Sequence, residues 1–136
     1  MVRPIVKDLF FLRQKSEPAT KADLPIARDL LDTLKYNRAG CVGLAANMIG
    51  VKKCIIAVSP GFMDIAMLNP VITAKSGAYD TEEGCLSLPG VRPCRRYKKI
   101  TVEYFDMNFV KRVQNFEGFP AQIIQHEVDH CEGILI

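Results

Sequence analysis

The chain has 136 residues, of which 49% are hydrophobic and 24% charged, and its net charge is +3. These values fit one compact domain over residues 1–136 and exclude an extended disordered protein or a multidomain enzyme. The charge excess is too small to point to nucleic acid or a membrane surface as a partner.

A chain of this size buries roughly two-thirds of its unfolded surface, enough for a core without covalent staples. Pro4, Lys7 and Asp8 precede a short apolar run from Leu9 to Leu12, which is not the pattern of a signal peptide. No stretch reaches the ~18 apolar residues of a spanning helix. The five cysteines are an odd number without framework spacing, which fits a reducing compartment. A soluble, cytoplasmic protein is expected.

The first predicted helix runs from Asp23 to Ala39. Asp23 is its candidate N-cap and Pro25 falls in the first turn; Leu24, Ala27, Leu30, Leu31 and Leu34 recur at helical spacing until Gly40. Gly40 to Gly50 is small and apolar and settles as neither helix nor strand. Cys54–Val58 and Met67–Ile72 read as strands separated by Ser59, Pro60 and Gly61. Thr81–Gly90 reads as irregular. Ile100–Phe105 is a strand, Asp106, Met107 and Asn108 a turn, and Phe109–Phe116 its partner strand. Gly118 and Pro120 open a closing helix that reaches Cys131, with Gly133 as its stop. This order predicts an α+β fold, mainly antiparallel sheets packed around the C-terminal helix.

That helix carries His126-Glu127-Val128-Asp129-His130, an H-E-x-x-H pattern. Residues four apart on a helix differ by only ~40° in projection, so both imidazoles can bind one metal. Glu127 points about 100° from His126, where it can reach a water on that metal without coordinating. The remaining ligand is expected upstream, a carboxylate or a cysteine thiolate, because only six residues follow His130 and the sequence holds no third histidine. Among the thiols, Cys131 projects away from His130, Cys54 opens an apolar strand, and Cys94 sits in a basic loop. Cys41, in the small-residue loop, stays a candidate. Cys85 is favoured, because Gly84 and Pro89-Gly90 hold it on a sharp turn with free backbone N–H groups.

Three motifs in order then resemble the peptide deformylase family. They are Cys41-Val42-Gly43-Leu44-Ala45-Ala46-Asn47-Met48-Ile49-Gly50, Glu83-Gly84-Cys85-Leu86-Ser87 and Gln125-His126-Glu127-Val128-Asp129-His130. The segment Leu12–Pro18 also looks like the family's N-terminal region. The resemblance implies that Cys85, His126 and His130 hold a divalent metal, Fe(II) first, with Zn(II), Ni(II) or Co(II) as alternatives. It implies that Glu127 is the acid/base and that the Leu86 N–H meets the oxyanion. Val42, Gly43, Gly84, Met48 and Arg92 become the substrate-binding candidates. The implied reaction is hydrolytic removal of formyl from the formylmethionine of nascent peptides, with transient ribosome association. Gln125 and Asp129 are candidates for supporting the ligands.

Two positions depart from the family pattern: Cys41 stands at a glycine position, and Met48 stands where a glutamine amide would hold the oxyanion. A second reading follows from them, a silent or altered-specificity protein that binds N-acylated termini.

Overall fold

The computed structural model describes residues 1–61 and 63–135. Its apolar segments build one antiparallel sheet in which every strand pairs with the next in the chain. The strands are β1 (Gly43–Ala45), β2 (Ile55–Val58), β3 (Ile65–Cys85), β4 (Leu88–Phe105) and β5 (Lys111–Glu117). The helices are α1 (Leu9–Leu12), α2 (Leu24–Tyr36) and α3 (Phe119–Cys131). The fold is therefore α+β as expected, with one sheet among the described residues. No helix among them is long and apolar enough to cross a membrane.

Every residue of β2 is buried, and both long helices pack on it. The buried residues of α2 include Ala27, Leu30 and Leu34, and those of α3 include Ala121, Ile123 and Ile124. Each such leucine or isoleucine stabilises the fold by about 1.5–3 kcal/mol through burial. The α3 helix is thus anchored in the core by one stripe while its next residues face the site.

Several boundaries move from the sequence expectation. A 3-10 turn, Lys21–Asp23, precedes α2, and the Asp23 carboxylate reaches back to the Thr20 N–H at 2.8 Å instead of capping forward. The unsettled Gly40–Gly50 stretch becomes β1 followed by a 3-10 turn, Ala46–Ile49. Phe109 does not begin β5; it adopts φ +55° and stacks on Phe105, so the strand starts at Lys111.

The largest correction concerns Thr81–Gly90, which is the end of a long β3–β4 hairpin. Glu83 pairs with Arg92, Gly84 with Val91 and Cys85 with Leu88. Most of this ribbon is exposed on both faces, so its sequence lacks the apolar alternation that reveals a half-buried strand. Its pairing rests on the backbone ladder, and register shifts after Leu68, Ile72 and Gly84 bend it.

Gly133 ends α3 as the sequence suggests. It has φ +77°, its N–H donates to His130 O at 3.0 Å, and the Ile134 N–H donates to Asp129 O at 3.0 Å. A Cβ there would meet Arg13 O at 2.4 Å, so the chain end also packs tightly on the N-terminal segment.

Candidate active site

One turn of α3 presents His126 and His130 on the same side, both buried, with their Nε2 atoms 2.9 Å apart. The end of β3 brings Cys85 against them, with Sγ 3.4 Å from His130 Nε2. Donor atoms of these three residues all lie within 4.8 Å of one another, and among the described residues no other such group of three forms. Two imidazole nitrogens and a sulfur converging on one point are the donor set of a divalent transition-metal site. Three protein donors leave a position open, and the group borders a cavity of about 520 Å³. The residues fit a catalytic metal.

Glu127 lies beside this group. Its side chain lines the cavity, and Oε1 is buried without a hydrogen-bond partner. Burial pushes its carboxyl up to about 7, against the opposing effect of a charged His126. Gly43 of β1 makes this position accessible to Glu127: a Cβ there would lie 2.8 Å from Glu127 Oε2 and 2.8 Å from Ile123 Cγ2. A larger residue at position 43 would displace the carboxylate.

A polar cluster behind the histidines was not read from the sequence. Glu83 Oε1 lies 2.7 Å from His126 Nδ1, which fixes the ring with Nε2 toward Cys85. Arg96 on β4 donates to Glu83 through Nη2 at 2.7 Å and Nε at 3.0 Å, and through Nη1 to Asp129 at 2.8 Å. Gln122 adds a bond to Glu83 Oε2 at 2.9 Å. Burial opposes ionisation of Glu83, but the bonds from His126, Arg96 and Gln122 prevail and hold its carboxyl well below the usual range.

The two histidines differ accordingly. Burial disfavours charge on both. For His126 the hydrogen bonds to Cys85 and Glu83 overcome that and raise it to about 10. For His130 burial and the neighbouring His126 charge together push it down to about 3. One signal could have found Glu83: it lies two residues before Cys85, and such residues share a face of a strand. Nothing local points to Arg96.

Of the two residues expected to support the ligands, Asp129 holds Arg96, and Gln125 ties α3 to β4. Gln125 accepts from the Tyr97 N–H at 2.8 Å and donates to Tyr97 O at 2.8 Å. Asn47 Nδ2 donates to His130 O at 3.0 Å, joining the small-residue segment to the same helix.

Val42, Gly43, Gly84 and Leu86 line the cavity together with Cys85, His126 and Glu127. Met48 and Arg92 lie outside that lining. Met48 is buried, and its Sδ sits 3.4 Å from the Ala45 N–H. Cys41 lines the cavity but is not one of the converging donors. Its thiol donates to Gly43 O at 2.9 Å, and burial pushes it up to about 12.

Comparison with known proteins agrees with this geometry. The family model described as polypeptide deformylase matches residues 2–136. The chain is 58% identical to the peptide deformylase of Clostridium beijerinckii over the full length of both. It is 39% identical to peptide deformylase 2 of Clostridium acetobutylicum, covering 91% of this chain and 85% of the relative. Among solved structures, the peptide deformylase from Thermus thermophilus superposes with TM-score 0.87 at 36% identity, covering 98% of this chain and 83% of that one. A Met-Ala-Ser-bound class I type b peptide deformylase from Acinetobacter baumannii gives TM-score 0.88 at 32% identity, covering 99% and 97%. Since the match spans the cavity, the donor group and the sheet that carries both, the chain belongs to the polypeptide deformylase family.

Proposed function

We propose that this deformylase acts on the N-terminal formylmethionine of nascent peptides through a divalent metal held by Cys85, His126 and His130, with Glu127 moving the proton. The observation that carries this reading is the convergence of those three donors beside a buried, unpartnered Glu127 oxygen. Bound there, the metal would supply Lewis acidity toward water and the formyl carbonyl, with Fe(II) first and Zn(II), Ni(II) or Co(II) as alternatives.

The chain's own groups then do the following. Glu127 Oε1 takes a proton from the attacking water while a C–O bond forms at the formyl carbon. The backbone N–H of Leu86 donates to the formyl oxygen as it gains negative charge. Glu127 returns the proton to the peptide nitrogen as the C–N bond breaks, releasing a free amine and formic acid, whose own proton passes to solvent as it becomes formate. Val42, Gly43 and Gly84 receive the peptide backbone along the cavity rim. Met48 and Arg92 stand as further substrate-side positions, although neither lines the cavity.

We take residues 1–136 as one catalytic domain working in the cytoplasm, where nascent chains emerge, with transient ribosome contact. The neighbouring Met-Ala-Ser-bound structure supports a short methionine-first peptide as the ligand class.

Turnover of formyl-Met peptides by the metal-loaded chain tests the proposal. Formate release is expected, and Glu127→Ala should reduce it by about 10²–10⁴-fold with metal content unchanged. Peptide binding without turnover would instead favour the silent-binder reading, which the absence of an amide at Met48 motivates.

A further inference from the structure

The sheet ends on two strands of different kinds. At one end β1 contributes Gly43 to the catalytic cavity; at the other lies β5, and none of residues 111–117 lines that cavity. β5 pairs with β4 in an unbroken register, from Phe105 with Lys111 to Lys99 with Glu117. Two bonds set its phase: the Asp106 N–H donates to Val110 O at 3.0 Å, and the Gly118 N–H donates to Lys98 O at 2.9 Å. Hydrogen-bonded pairs alternate along an antiparallel ladder, so Arg112, Gln114 and Phe116 bond β4. The N–H and C=O groups of Lys111, Val113, Asn115 and Glu117 then point outward, and among the described residues no strand takes them up.

We propose that β5 is the surface through which two copies of this chain associate, their β5 strands pairing antiparallel about a two-fold axis at Gln114. In that register Val113 faces Asn115 of the second copy and Lys111 faces its Glu117. All of these are outward residues, so every outward N–H meets an outward carbonyl and the two sheets become continuous.

Charge selects this register. Centring the pair on Val113 or Asn115 instead would keep the outward groups matched but would take Glu117 away from Lys111. A lysine on a lone edge discourages pairing with an arbitrary strand; opposite a glutamate it favours a partner that supplies one. The sequence Lys111-Arg112-Val113-Gln114-Asn115-Phe116-Glu117 is basic at its start and acidic at its end, so a reversed second copy supplies that glutamate at both ends. Val113, 59% exposed, would also gain cover.

Sedimentation equilibrium of the full chain at increasing concentration tests the proposal. The mass should rise toward twice that of the chain. Hydrogen exchange at the outward amides of Val113 and Asn115 should slow with it, while the inward amides of Arg112 and Gln114 stay protected throughout. Val113→Pro removes an outward N–H and spares the β4 ladder, so it should remain monomeric with wild-type circular dichroism and turnover. Lys111→Glu should weaken association about tenfold, because the facing pairs turn from attractive to repulsive. Adding Glu117→Lys should restore it, even though the two swaps set like charges against Glu103 and Lys99 within each chain. Monomers at every concentration, dimers of Val113→Pro, or a double variant no tighter than Lys111→Glu would each overturn the proposal. So would outward amides protected only by an added formyl-Met peptide, which would assign the edge to an extended peptide instead.

Discussion

Helix α3 and the β3–β4 hairpin serve the same cavity in different ways. On α3, His126, Glu127 and His130 lie within about one turn, and the helix is held by buried Ala121, Ile123 and Ile124. Its geometry is local and its anchor is apolar. The hairpin is long and largely exposed, yet it must deliver Cys85 to the histidines. Its anchor is polar: Glu83 reaches His126, and Arg96 joins Glu83 to Asp129 on α3. The site therefore depends on a desolvated charge cluster for its one non-helical donor.

Removing that anchor should have the largest effect. Side-chain exposure is 7% for Glu83 and 5% for Arg96, so Glu83→Ala would leave a buried guanidinium without its main partner. A loss of about 3–5 kcal/mol in urea melts is expected. Metal affinity should weaken about 10–100-fold, because His126 loses its orienting carboxylate. Intact affinity with only a stability loss would mean that the helix alone sets the donor geometry.

The next effect isolates Glu127 in metal-free protein. Its folded value, about 7, exceeds the ordinary 4.5, so the folded state binds the proton more tightly than the unfolded chain. The resulting stability is fully present below about pH 4.5 and is lost as pH rises through about 7. Relative to Glu127→Gln, the wild type should lose a few kcal/mol, on the order of 2–3, between about pH 5 and about pH 8.5. Parallel curves for the two proteins would show that Glu127 does not carry the slope.

Activity offers a sharper comparison at the small-residue segment. A thioether donates no hydrogen bond, and one missing oxyanion donor costs about 10²–10³-fold in other enzymes. Met48→Gln should therefore raise kcat/KM on formyl-Met peptides, by up to about that factor. An unchanged or lower rate would indicate that the donor is supplied elsewhere or that Met48 is needed for packing.

The smallest effect belongs farther along the same hairpin, where Arg95 meets Asp80 at 3.4 Å with side chains 66% and 81% exposed. Asp80→Ala should change stability by less than about 1 kcal/mol and leave activity intact. A larger loss would mean that the exposed part of the ribbon also positions Cys85.

Much of this arrangement was readable without coordinates where the information is local. The spacing in α3, its stop at Gly133 and its apolar anchor follow from local helix rules, the core of α2 from its periodicity, and that of β2 from its apolar run. The motif pattern also carried the family resemblance. The hairpin was not readable from Thr81 to Gly90, because strands exposed on both faces carry no apolar alternation.

The tertiary structure decided which elements meet. It brought Cys85, of five thiols, to the two histidines, and it set Arg96 between Glu83 and Asp129. It also left Met48 and Arg92 outside the cavity lining. The reason is physical: residues one helical turn apart are positioned by their own backbone. Residues on different strands and helices meet only after register, bulges and core packing have placed their elements.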